Sequence, residues 1–137
     1  METTTEYAVR EDDRCTAVEL VGSALRADGH RVAHRHDGLL VSGGDRVLTA
    51  LLGALVHPAR QYRRYEVALS SVPGHAVLTL RHADHGAAVA GGPIGARRRR
   101  AAWHRTAALV EASLHEGGVL LHRTDRLDTS GIAIRDR

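Results

Sequence analysis

Residues 61–82 read QYRRYEVALSSVPGHAVLTLRH, and this stretch decides the fold. Two runs of alternating character flank Pro73-Gly74, a dipeptide that marks a turn. Folding the runs back on that turn sets Leu69 opposite Leu78, Val67 opposite Leu80 and Tyr65 opposite His82. On the reverse face Glu66 meets Arg81, a favourable cross-strand pair. Strands from Gln61 to Ser71 and from His75 to Arg81 are therefore expected, since a side-chain period of two is the signature of a half-buried strand.

A second hairpin is expected upstream. His30 to His36 and Leu39 to Ser42 flank Asp37-Gly38, a strong short-range hairpin signal. With those two residues as the turn, His36 falls opposite Leu39 and His34 opposite Val41. Val32, His34, His36, Leu39 and Val41 then share one face, and Arg31, Ala33, Arg35, Leu40 and Ser42 the other. The two hairpins agree: Val32, Val41, Val67, Leu69, Leu78 and Leu80 should face helices, while Arg31, Arg35, Arg64 and Arg81 line the opposite face.

Helices are read from a different period. A short strand from Thr5 to Arg10 precedes a stretch in which Val18, Val21 and Leu25 recur at helical spacing. Asp12 or Asp13 can cap its start and Asp28-Gly29 stops it. Cys15 lies one turn before Val18 and is expected to be a half-buried packing residue. From Asp45 to Val56, Leu48, Leu51, Leu52 and Leu55 form a stripe on a helix with little polar surface elsewhere, ended by Pro58. Burial between sheet and neighbouring helix explains such a segment; a homodimer contact or the wall of a ligand pocket is the sharper alternative. Ala83 to Ala96 is rich in Gly and Ala and reads as a loop. A long helix from about Arg97 to Glu116 follows, with Trp103, Ala107, Val110 and Leu114 inward and Gly117-Gly118 at its end.

These elements predict one α+β domain over residues 1–121, in the order β-α-β-β-α-β-β-α: a four- to five-stranded antiparallel sheet with helices on one face. Residues 122–137 read as a polar C-terminal tail. The chain has 137 residues, enough to bury a core without disulfides or a structural metal. With no Phe and a single Trp, that core must be Leu, Val and Ala. All nineteen basic residues are Arg, which a GC-rich coding bias explains as readily as bidentate recognition does. The net charge of +3 is spread along the chain, which disfavours a nucleic-acid partner. No basic region followed by an apolar run opens the sequence, and the longest greasy stretch, Val47 to Val56, is well short of the roughly 20 residues that span a bilayer. A cytoplasmic protein without a membrane span is expected.

Signatures of chemistry are sparse. Gly91-Gly92-Pro93-Ile94-Gly95-Ala96 followed by Arg97-Arg98-Arg99-Arg100 could bind an anion at a helix start, with Gly92 and Gly95 giving backbone access and Arg97 and Arg98 the charge. It matches neither a phosphate-binding loop nor a dinucleotide fingerprint. His34 and His36 on one strand, with His82 and His85 near the end of another, show no standard zinc spacing, so no metal or cofactor is implied. His82, Asp84 and His85 with Glu66 or Tyr65 could be assembled into an acid–base group, as could many chance sets. The order of elements resembles TATA-binding-protein-like and helix-grip layouts, whose curved sheets hold ligands or partners. Through Leu51-Leu52-Gly53-Ala54-Leu55, Gly91-Gly92-Pro93-Ile94-Gly95 and Gly117-Gly118-Val119-Leu120, it is also similar to small uncharacterised actinobacterial proteins. That resemblance implies no activity and no catalytic residues. The expected function is a non-catalytic binding or scaffold domain for an anionic ligand or partner, held on the arginine face or in a pocket between sheet and helices. A small pathway enzyme of cyclase or isomerase type is the alternative, and the sequence does not decide between them.

Overall fold

The computed structural model describes residues 2–43, 63–83 and 92–128. The helix expected over 45–56, with its subunit or pocket role, lies outside them, as do His85 and Asp84. Strand β1 (Glu2–Arg10) leads through a short 3-10 turn into helix α1 (Arg14–Ala27), then β2 (Arg31–Arg35) and β3 (Gly38–Gly43). After the undescribed segment come β4 (Arg63–Val72), β5 (His75–His82), helix α2 (Gly92–Glu116) and β6 (Leu120–Asp128). The six strands form one antiparallel sheet in the order β2-β3-β4-β5-β1-β6.

Among the described residues the sheet therefore has six strands rather than the expected four or five. The additional strand, β6, occupies 120–128, where the polar composition reads as tail. It lies beside β1, which pairs with β5 on its other side. The polar residues of β6 on the helix side find partners instead of an apolar environment: Arg123 donates to Glu111 of α2 and to Asp125, and Thr5 of β1 donates to Asp125.

The β4–β5 hairpin has the expected register, with Leu69 opposite Leu78, Val67 opposite Leu80, Tyr65 opposite His82 and Glu66 opposite Arg81. In the β2–β3 hairpin the turn is His36-Asp37, not Asp37-Gly38: Arg35 pairs with Gly38, His34 with Leu39 and Val32 with Val41. Each residue meets a partner two places away from the expected one, and because strand faces alternate with period two, both faces keep their expected members. Gly38 is drawn into the strand because β4 closes on it. A Cβ at Gly38 would collide with the Val67 carbonyl, and the Leu69 N–H donates to the Asp37 carbonyl at 2.6 Å.

Among the described residues, one sheet face and two helices enclose the core. Tyr7, Val9, Leu39, Val41, Tyr65, Val67, Leu78 and Leu80 come from the sheet, and Ala17, Val21, Leu25, Trp103, Ala107, Val110 and Leu114 from the helices, all buried. Val32 and Leu69 pack against this cluster while partly buried. Both helices end alike. The His30 N–H reaches the Leu25 carbonyl and the Gly29 N–H the Arg26 carbonyl, while Val119 and Gly118 do the same to Leu114 and His115. This double bond pattern with Gly in the left-handed conformation satisfies the orphan carbonyls of a helix end. Cys15 is exposed rather than half-buried, since the helix turns it away from the Ala17–Val21–Leu25 face.

Helix α2 starts at Gly92, inside the segment read as a loop. Pro93 accounts for this, because proline lacks an N–H where the first helical turn needs none and its φ is already helical.

Candidate functional site: the open sheet face

The register places Arg31, Arg35, Arg64 and Arg81 together on the face away from the helices. Arg31, Ser42 and Arg64 form one row across β2, β3 and β4. With adjacent strands about 4.8 Å apart, the two arginines start about 10 Å from each other, with the Ser42 side chain between them. The next row carries Ala33, Leu40, Glu66 and Arg81, and the one beyond it Arg35, Gly38, Ala68 and Thr79.

Carboxylates neutralise part of this face. Glu66 accepts a hydrogen bond from the Arg81 Nε and lies 4.0 Å from the Arg35 guanidinium. Glu6 pairs with Arg126 at 3.3 Å. Arg31 and Arg64 make no ion pair among the described residues, so the Arg31–Ser42–Arg64 row is where positive charge on this face stays uncompensated.

Gly92 and Gly95 are helical, and Arg97 and Arg98 follow in the second turn of α2, not at its N-terminus. They lie on the helix side of the sheet, opposite the sheet arginines. The two sets of residues expected to hold an anion thus cannot contribute to one site.

Two clusters beneath the sheet have little sequence signal. In the first, His82 stacks on Trp103 with ring centroids 4.7 Å apart, and Tyr65 meets His82 at 5.3 Å and Trp103 edge-on at 5.7 Å. His30 closes the group 6.4 Å from Tyr65. The facing of Tyr65 and His82 is legible in the sequence; the approach of His30 and Trp103 needs the helices in place. Glu66 projects to the other face, so it cannot join His82 in an acid–base group. His34, exposed on the edge strand, bonds Arg26 of α1 at 3.0 Å, and His36 is exposed in the turn. Among the described residues no group of three His, Cys, Asp or Glu could hold a metal ion.

In the second cluster the Tyr7 hydroxyl donates to the Ala107 carbonyl at 2.7 Å. Arg123 lies over the Tyr7 ring and donates to Glu111 at 2.7 Å and Asp125 at 3.1 Å, and Thr5 donates to Asp125 at 2.9 Å. Burial pushes the Tyr7 phenol well above its ordinary value; Arg123 opposes that shift, while Asp125 and Glu111 add to it. For Arg123, burial works against the charge but the hydrogen bonds to Glu111 and Asp125 outweigh it, so its basicity rises. The cluster ties β1, β6 and α2 together. None of the described helices is long and apolar enough to cross a membrane. Comparison with known proteins finds no matching family model and no matching curated protein.

Proposed function

We propose that this protein is a non-catalytic binding domain whose open sheet face receives an anionic group on the Arg31–Ser42–Arg64 row, with Arg35 and Arg81 contributing to the field around it. The observation that carries this reading is the pair of arginines two strands apart, in register, with a hydroxyl between them and no carboxylate paired to either among the described residues. Guanidinium groups bind carboxylate and phosphate oxygens bidentately, and a serine hydroxyl can donate a further hydrogen bond. A built array of cations on a rigid sheet also steers anions, with a strength that falls as salt rises.

Amide-resolved NMR during titration with inorganic phosphate, and separately with a dicarboxylate, tests the reading. Shifts should concentrate at Arg31, Ser42 and Arg64 and shrink with added salt. The Arg31→Ala/Arg64→Ala variant should lose them while its stability changes by no more than about 0.5 kcal/mol, as for surface substitutions generally. Shifts that persist in the double variant would place the anion elsewhere. The second reading, a small enzyme of cyclase or isomerase type, draws on the His30–Tyr65–His82–Trp103 cluster, where a tyrosine and two histidines gather at one end of the core. Native mass spectrometry of freshly purified protein separates the two. A neutral co-purified molecule displaced by His82→Trp would favour the enzyme, and an anion displaced by Arg31→Ala would favour the binder.

A further inference from the structure

The two edges of the sheet are defended differently. Strand β2 is five residues long and exposes Arg31, His34 and Arg35, the short and charged design that discourages pairing with another chain. Strand β6 is nine residues long, and no described strand pairs with its outer side. It also carries Leu121 and Leu127, at 46% and 52% exposure two of the three exposed large hydrophobic residues among those described.

In an antiparallel pair, outward-pointing N–H and C=O groups belong to alternate residues, so a strand can pair with its own copy only with a residue facing itself on the two-fold axis. The register that pairs His122–Arg126 with the same run of a second copy puts Thr124 on that axis; Leu121 is left out of it, because the pairing of β6 with β1 shifts between Leu120 and His122, a bulge that breaks the alternation there. Arg123 then lies opposite Asp125 of the partner subunit, a contact that occurs twice. Arg123 is already oriented by Glu111 and by its own Asp125. Sliding by one allowed step in either direction instead puts Arg123 against its own copy or Asp125 against its own copy, and like charges directly opposite are destabilising. His122 faces the partner subunit's Arg126 in the favoured register, and in each chain Arg126 is already paired with Glu6. The register centred on Thr124 is thus the one in which charge is self-complementary.

We propose that β6 is a self-association edge, on which a second copy of this chain adds its own β6 antiparallel about a two-fold axis at Thr124. The axis stands perpendicular to the sheet, so the two sheets become one continuous sheet with the described helices on one side and both arginine faces on the other. The interface is isologous and closes at two subunits. It does not depend on what the arginine face binds.

Sedimentation velocity on the full chain should show a dimer whose dissociation constant rises at least tenfold in Leu127→Lys. Register is tested by cross-linking in a Cys15→Ser background. In Thr124→Cys the new thiols face each other with Cα atoms about 4.5–5.5 Å apart, within disulfide reach. In Arg126→Cys each thiol sits four positions from its copy, about 13 Å along the strand and out of reach. Mild oxidation should convert the first variant to a covalent dimer and leave the second uncoupled. A wild-type chain that stays monomeric at the highest concentration it reaches overturns the proposal. So does a dimer in which the Thr124→Cys variant fails to cross-link, or in which both variants cross-link equally.

Discussion

Gly38 pairs with Ala68 of β4 at a φ of +155°, and any side chain there would run into the Val67 carbonyl. Gly38→Ala must therefore push β3 away from β4 or distort the turn, and it should lower stability by about 2–4 kcal/mol, a size reserved for backbone strain and core damage. Urea midpoints measure it; an unchanged midpoint would mean that β4 can yield without cost. Tyr7 makes a prediction with a pH sign. Its phenol is raised by burial in the folded state, so the folded form holds the proton more tightly than the unfolded form. The contribution is fully present below about pH 10, the free phenol value, and is lost as pH rises through the folded value. Tyr7→Phe should cost about 1 kcal/mol at neutral pH through the bond to Ala107 and should blunt the loss of stability in alkali. Parallel urea titrations of both proteins at neutral and alkaline pH read both effects. Trp103, stacked on His82 and buried, should cost about 3–5 kcal/mol as Trp103→Ala. Its indole N–H has no hydrogen-bond partner among the described residues, so Trp103→Phe should be far milder.

At the scale of the element, what was legible followed from alternation. The β4–β5 register can be read residue by residue because two alternating runs flank a Pro-Gly turn, and each cross-strand pair supports the next. The β2–β3 turn could not be read from Asp37-Gly38 alone, since the approach of β4 to Gly38 is a contact between residues some thirty apart in sequence. The face on which the arginines lie is nevertheless legible, because a shift of two places preserves it. Of their partners, Glu66 opposite Arg81 is legible from the register, whereas the reach of Arg35 to the same carboxylate is not. Glu66 holds Arg81 and Arg35 at once, which divides the cationic face into a neutralised part and the open Arg31–Arg64 row. Glu66→Gln should change stability by less than about 1 kcal/mol, as exposed ion pairs do. It should also strengthen phosphate binding a few-fold by releasing both guanidinium groups. Isothermal titration at low salt decides it, and weaker binding in the variant would mean that Glu66 orients the arginines rather than competing for them.

The whole molecule depends on a strand that composition disguises. Residues 120–128 contain two arginines, two aspartates and a histidine, with no apolar alternation, and nothing local distinguishes them from a solvated tail. What makes them a strand is β1, a central strand whose second side would otherwise be open, and α2, which supplies Glu111 to Arg123. The information is tertiary, in the same way that helix α2 begins earlier than its glycines suggest. A chain ending after Leu121 should therefore lose much more than a tail would imply. Thr5 and Tyr7, both fully buried, would lose Asp125 and Arg123 from their surroundings, and the outer N–H and C=O groups of β1 would return to water or to a foreign strand. Domains of this size are stable by only about 5–15 kcal/mol, so removing an entire ladder should abolish the cooperative transition or move it far toward native conditions. Fluorescence of Trp103, the chain's single tryptophan, reports the transition during urea unfolding. If the shortened chain unfolded at the midpoint of the full chain, β6 would be an accessory to the sheet, and the Arg123–Glu111–Asp125 cluster would contribute nothing to holding α2 against it.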